Sequence, residues 1–229
     1  MSETSTTPLD VSLARLSKPH LRGCLPTWRA VTLHLRADLH RYDGGGRYKF
    51  LRHFLFTPGY KYTVWMRICG YLKQGRLTRY TLYPFAKWWL VRCRYKYGIA
   101  IPEYTDIGPG LFINRFGGIY INGDAKIGSN VNIGQMSMLG QTNRGDHAGS
   151  PVIGSRVFVG VGSSVIGRVR VGDGAVVGVN SVVTKDVGSE CVVGGTPAKV
   201  LSRHGSEGYI NRPVPPDLVE ACLAARSRA

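Results

Sequence analysis

Apolar residues recur every six positions through much of this chain. Ile153, Val159, Val165, Val171, Val177 and Val183 form one unbroken run, and Ile101, Ile107, Ile113 and Ile119 form another. A third run, Ile121, Ile127, Ile133 and Leu139, is out of step with the second because Ile119 and Ile121 lie two apart. A six-residue period fits neither a helix of 3.6 residues per turn nor one long strand. It predicts a solenoid of short strands and turns, three to a coil, with each coil stacking its aliphatic residues on the next. Val131, Val157, Ala175, Ser181 and Val187 occupy the fifth position of their units, where a small or branched side chain suits a crowded corner. Leu139 and Ile153 are fourteen apart, so a loop of eight extra residues falls within Gly140 to Val152. A β-sandwich also has short apolar runs, but its strand spacing of roughly eight to twelve residues does not match.

Outside the lattice the pattern turns helical. Val64, Ile68, Tyr71 and Leu72 mark one face of a helix near 60–74, and a second helix over 84–96 begins after Pro84. Leu218 and Cys222 share a face of a short helix from Asp217 onward. The chain therefore reads as a mainly β protein: a basic, mostly helical region over 1–97, a parallel β-helix over 98–203 with a loop at 140–152, and a C-terminal tail over 204–229.

The net charge of +16 is uneven. Residues 1–100 carry eighteen Lys and Arg against four acids, and aromatic residues such as Trp65, Phe85, Trp88 and Trp89 concentrate in the same stretch. Three readings are open: packing on the solenoid or a neighbouring copy, a peripheral membrane surface, or nucleic-acid binding, the last without any recognised module to organise it. The helix over 84–96 is too short and too charged to span a bilayer. Gly44, Gly45 and Gly46 read as a flexible loop without the Gly-Lys-Ser/Thr ending of a phosphate cradle. The five cysteines are odd in number and scattered, which points to a reducing compartment. Met1 to Asp10 is polar, with no signal sequence, so the expected location is cytoplasmic, with the inner face of the cytoplasmic membrane as an option.

Residues 97–203 resemble the left-handed β-helix hexapeptide acyltransferases, most closely the serine acetyltransferase-like branch. The segments that carry the likeness are Ile107-Gly-Pro-Gly-Leu-Phe-Ile113, Ile127-Gly-Ser-Asn-Val-Asn-Ile-Gly134, Val159-Gly-Val-Gly-Ser-Ser-Val-Ile-Gly167 and Val193-Gly-Gly-Thr-Pro-Ala-Lys-Val200. Arg36 to Tyr42 and Phe54 to Trp65 are similar to the branch associated with exopolysaccharide and capsule synthesis. The resemblance implies a homotrimer of left-handed prisms, an exception to the usual right-handed crossover. It implies acetyl-CoA as acyl donor, no metal, and a groove between subunits lined near Gly140, Val161, Gly162, Val179 and Asn180. Lys199 and Arg203 would either meet the CoA phosphates or form a solvated edge.

Acyl transfer to a hydroxyl needs a general base and donors for the oxyanion. Where the family carries its catalytic His, this chain has Arg115, and where it carries the preceding Asp, this chain has Asn114. A further family Asp and His correspond to Ala100 and Pro102. Arginine stays protonated, so Arg115 can hold an anion but cannot take a proton. His147, after Asp146 in the loop, is the remaining candidate base. A lone His also speaks against a solenoid metalloenzyme with three ligands. The resulting expectation is an acetyl-CoA-dependent O-acetyltransferase acting on a sugar hydroxyl of a surface polysaccharide or its lipid-linked precursor. Serine O-acetyltransferase and a non-catalytic scaffold that binds CoA or a sugar are the alternatives.

Overall fold

The structure, a computed structural model, describes residues 19–43 and 47–227. The opening polar segment and the glycine triplet at 44–46 lie outside the described residues. Among the described residues, four α-helices precede the solenoid: α1 (Trp28–Asp43), α2 (Arg47–Phe56), α3 (Pro58–Leu72) and α4 (Leu82–Tyr97). Pro58 opens α3, where a missing N–H costs nothing, and Gly98 ends α4 in the left-handed conformation at φ 60°. The periodicity marks only α3 and α4. In α1 the buried side includes His34, Asp38 and Arg41, which break its apolar period, and α2 leaves most of its apolar residues exposed.

Five coils follow. The first is β1 (Ile99–Ala100), β2 (Asp106–Ile107) and β3 (Phe112–Ile113); the second is β4 (Ile119–Ile121), β5 (Lys126–Ile127) and β6 (Asn132–Ile133). The third is β7 (Met138–Gly140), β8 (Val152–Ile153) and β9 (Phe158–Val159), and the fourth is β10 (Ser164–Ile166), β11 (Arg170–Val171) and β12 (Val176–Val177). β13 (Val182–Val183), a bridge at Val187 and β14 (Val192–Gly194) make the fifth, and β15 (Lys199–Ser202) folds back antiparallel on β14. Every third strand pairs in parallel, giving three faces: A (β1, β4, β7, β10, β13), B (β2, β5, β8, β11) and C (β3, β6, β9, β12, β14, β15). The prism winds left-handed. Its axis is the aliphatic column that the six-residue period predicts, and the fifth-position residues Val131, Val157, Ala175, Ser181 and Val187 are buried beside it.

The offset between Ile119 and Ile121 has a structural cause. Ile119 pairs with Ile99 below, while Ile121 pairs with Leu139 above, and both are buried. Two extra residues between Ile113 and Ile121 are thus accommodated at the corner where face C turns into face A.

The helices close the open end of the first coil. A solenoid's terminal strands present unpaired backbone groups, which need a cap. Tyr62 Oη donates to the Ile101 carbonyl (2.8 Å) and accepts from its N–H (3.0 Å). Tyr42 Oη does the same at Ile113, at 3.1 Å each way. Asp38 accepts from the N–H groups of Gly110 and Leu111, and Arg67 donates to the carbonyls of Ile107 and Gly108. Asp38 and Arg67 are themselves paired at 2.6 Å, both buried. Tyr62, Met66, Cys69, Leu90 and Cys93 belong to the same apolar cluster as the coil interior. The tail folds back on the rest of the chain. Val214 is buried against the coils, and α5 (Pro216–Ser227) packs on α1 through Cys222, Leu218 and Val219.

Candidate functional site

The edge between faces C and A is built from the same turn repeated. Gly118, Met136, Gly162 and Asn180 stack in successive coils, all in the left-handed region with φ between 52° and 71°. The Met136 N–H reaches the Gly117 carbonyl, Gly162 reaches Gln135, and Asn180 reaches Val161. A Cβ at Gly162 would lie 2.1 Å from Asn180 Oδ1, so any larger residue would have to push that amide aside as well as hold a φ of 71°. Met136, at φ 58°, holds a conformation that bulky residues rarely adopt.

This edge is unusually apolar for an exposed one. Met136 is 63% exposed, Val161 36% and Val179 64%. At its foot, the two-residue excess pushes Asn114, Arg115 and Phe116 outward, all exposed, and the Phe116 ring meets Tyr97 at 5.8 Å between centroids. At its head, Lys199 pairs with Gly194, where face C runs into this corner. One prism edge therefore carries a cation at each end and an apolar column between them.

The remaining sequence-predicted residues fall elsewhere on the chain. Gly140 is buried at the other end of face A, and Arg203 follows the end of β15 that pairs with Val192, away from the C/A edge. Asp146 and His147 sit in the loop at the A/B edge of the third coil. That loop forms a hairpin, with Thr142 bridged to Gly149, and it is pinned to the next coil by Arg168. The Arg168 N–H donates to the His147 carbonyl (2.8 Å), and its guanidinium donates to the Asp146 carbonyl (3.0 Å). Both side chains are exposed, and neither has a hydrogen-bond partner among the described residues. So one chain brings Asn114, Arg115, Val161, Gly162, Val179, Asn180 and Lys199 to one edge and holds Asp146 and His147 at another. Met136 and Phe116 join the first group without having been singled out by sequence. Their signal was available: each lies three residues beyond an inward isoleucine, Ile133 or Ile113.

A separate cleft, lined by Arg156, Glu190, Ser206, Glu207, Gly208, Ile210 and Pro213, lies under the tail. It is spanned by an exposed Arg156–Glu190 pair at 3.3 Å and contains none of these residues. No three His, Cys, Asp or Glu side chains gather around a metal-sized site among the described residues.

Comparison with known proteins identifies the lineage. No protein-family model matches the chain. It is 32% identical over 156 residues to the serine acetyltransferase of Synechococcus elongatus, covering 68% of this chain and 62% of that protein. It is 36% identical over 110 residues to the serine acetyltransferase of Helicobacter pylori, covering 48% of this chain and 64% of that one. The chain is a hexapeptide-repeat protein related to the serine acetyltransferases. Solved structures agree: the serine acetyltransferase of Brucella abortus superposes with a TM-score of 0.61 at 27% identity, over 77% of this chain and 69% of its own. Soybean serine acetyltransferase complexed with serine superposes with a TM-score of 0.59 at 28% identity, over 82% and 72%. The chain spans less than two thirds of the length of the two bacterial relatives.

Proposed function

We propose that this chain is an acetyl-CoA-dependent O-acetyltransferase that works as a homotrimer, with its site between neighbouring copies. The observation that carries this reading is the C/A edge, an exposed apolar column with Arg115 at its foot and Lys199 at its head. Such an edge suits a long donor with an apolar arm and a phosphate-bearing end. His147 lies at a different edge of the same prism, so a neighbouring copy has to supply it.

In this reading the His147 imidazole accepts the proton of the acceptor hydroxyl as its oxygen attacks the thioester carbonyl. The Arg115 guanidinium stabilises the oxyanion that forms. The C–S bond then breaks, and CoA leaves as the thiol, taking up the proton. Serine is the acceptor that the named relatives favour. A sugar hydroxyl of a surface polysaccharide or its lipid-linked precursor is the second reading. It is supported by Arg115 and Asn114 standing where the family resemblance places His and Asp.

The test is release of CoA thiol from acetyl-CoA in the presence of L-serine or of sugar acceptors. Stimulation by one acceptor class identifies it. Release no faster than background with every acceptor would instead favour a non-catalytic binder. His147→Ala should lower turnover about a hundredfold or more with the fold intact. Unchanged turnover would remove His147 from the chemistry, and a monomer by sedimentation that retains full activity would end the shared-site proposal.

A further inference from the structure

From Gly44 to Pro102 the chain contains twelve Lys and Arg and no Asp or Glu. Folding neutralises only part of this charge. Lys49 and Arg52 reach Asp43, Arg67 is buried on Asp38, and Lys73 and Lys87 share Glu103. Lys61, Arg76, Arg79, Arg92, Arg94 and Lys96 meet no carboxylate among the described residues.

The same surface leaves large aromatics uncovered. Phe85, Trp88 and Tyr95 are 61%, 52% and 82% exposed, and with Arg92 they follow the three- and four-residue spacing of one helix stripe on α4. The Arg92 guanidinium stands 5.2 Å from the centre of the Trp88 ring. The stripe continues sideways without a break. Trp88 meets Trp89, Trp89 meets Trp65 of α3, and Trp65 meets Phe54 of α2, with centroids 5.8 to 6.3 Å apart. Just before α4, Tyr80 is 78% exposed between Arg79 and Thr81.

We infer that this face of α2, α3 and α4 docks on an anionic lipid surface. Aromatic side chains with polar tips settle at the level of lipid headgroups, and unpaired cations are drawn to anionic ones. A second copy presenting the same face fits poorly, because it would bring the same unneutralised cations together with no acid between them. No helix among the described residues is long and apolar enough to cross a membrane, so the contact is made in the plane of the surface. The docked face also borders the candidate site. α4 ends at Tyr97, whose ring packs on Phe116 beside Arg115. A bilayer on this face therefore lies near the foot of the C/A edge, where a lipid-linked acceptor would arrive. Only this last step rests on the second acceptor reading.

The experiment is flotation of the full chain with vesicles of phosphatidylcholine alone, or of equal parts phosphatidylcholine and phosphatidylserine. The chain should float with the anionic vesicles, stay behind with the neutral ones, and lose binding in about 1 M salt. Arg76→Glu with Arg79→Glu, and separately Phe85→Ser with Trp88→Ser, should each lower the bound fraction at least about tenfold. All four positions are exposed, and a thermal melt checks that each variant is folded. Absence from the anionic vesicles at low salt overturns the inference, as does flotation of both variants at the level of the parent. It is also overturned if the aromatic variant abolishes self-association measured without lipid, which assigns the face to a second copy, or if an oligonucleotide competes the chain off the vesicles at low concentration, which assigns it to nucleic acid. CoA thiol release with a soluble acceptor is independent of the result, so a chain that transfers acetyl groups but ignores vesicles refutes only the lipid contact.

Discussion

Asp38→Ala should destabilise the chain by about 3–5 kcal/mol, the cost of breaking a buried ion pair from one side. Asp38 is fully buried and holds four donors at once: Nε and an Nη of Arg67 at 2.6 and 3.1 Å, and the N–H groups of Gly110 and Leu111 at 2.9 Å each. Removing the carboxylate leaves the Arg67 charge in the interior and two backbone donors without a partner. Against a total stability of about 5–15 kcal/mol, that loss is a large fraction. Urea denaturation reads it as a fall in midpoint. Asp38→Leu combined with Arg67→Met removes both charges, and it should cost less than Asp38→Ala alone. A double variant no more stable than the single one would show that the backbone donors, rather than the stranded charge, dominate.

Stability should fall as pH drops below about 6.5, and His34 is the principal cause. Burial holds its imidazole uncharged, down to about 3, and the neighbouring Arg67 pushes in the same direction. Its Nδ1 lies 2.9 Å from the Ala30 carbonyl, and its Nε2 is buried without a partner. Because the folded value lies below the unfolded one, the unfolded chain binds the extra proton between pH 6.5 and 3. The neutral ring's contribution is therefore complete above 6.5 and lost on the way down, by about 3 kcal/mol at pH 4.5 and about 4 kcal/mol at pH 3. Glu103 acts lower. Burial favours its neutral form, but Lys87 and Lys73 override that and hold the carboxyl at about 2. Its contribution is present above the ordinary value of 4.5 and fades as pH falls toward 2. Burial pushes the Asp38 carboxyl up, which works against the His34 trend as pH falls, so it is the difference in urea midpoint between the parent and His34→Leu over pH 7 to 4.5 that isolates His34. His34→Leu should flatten that limb, Glu103→Gln should leave it unchanged, and a parent-to-His34→Leu difference that does not move over the range would contradict the assignment.

The coils were legible because their cause is local and repeated: one inward aliphatic residue in six from Ile101 to Val183, interrupted only by the slip at Ile119 and Ile121 and by the loop after Leu139. Even the break at Ile119 and Ile121 was visible as a slip, although only strand pairing shows that it pushes Arg115 and Phe116 out of the prism. The capping helices were harder to read. Asp38, Tyr42, Tyr62 and Arg67 look like ordinary polar interruptions until the first coil supplies the backbone groups they satisfy, and those partners lie 39 to 73 residues away. For the same reason α1 escaped the periodicity. At the candidate site, residue types pointed to Arg115 and His147, but which edge each occupies follows from where the loop leaves face A, which composition does not encode. The charge of the N-terminal region was plain in the sequence. Which of its aromatics remain outside was not, since Tyr60 and Tyr62 are buried while Phe85 and Tyr95 are not.

Uniform stacking also makes the C/A edge a ruler. Neighbouring strands are spaced by about 4.8 Å, so the five steps along face C from β3, which Arg115 follows, to β15, which carries Lys199, set the two about 24 Å apart along the axis. Because each coil repeats the pairing of the one below, removing or duplicating a coil would change that length by one step while leaving the chemistry at both ends untouched. The number of coils thus fixes the reach of whatever lies along the edge, as a property of backbone spacing rather than of any single side chain.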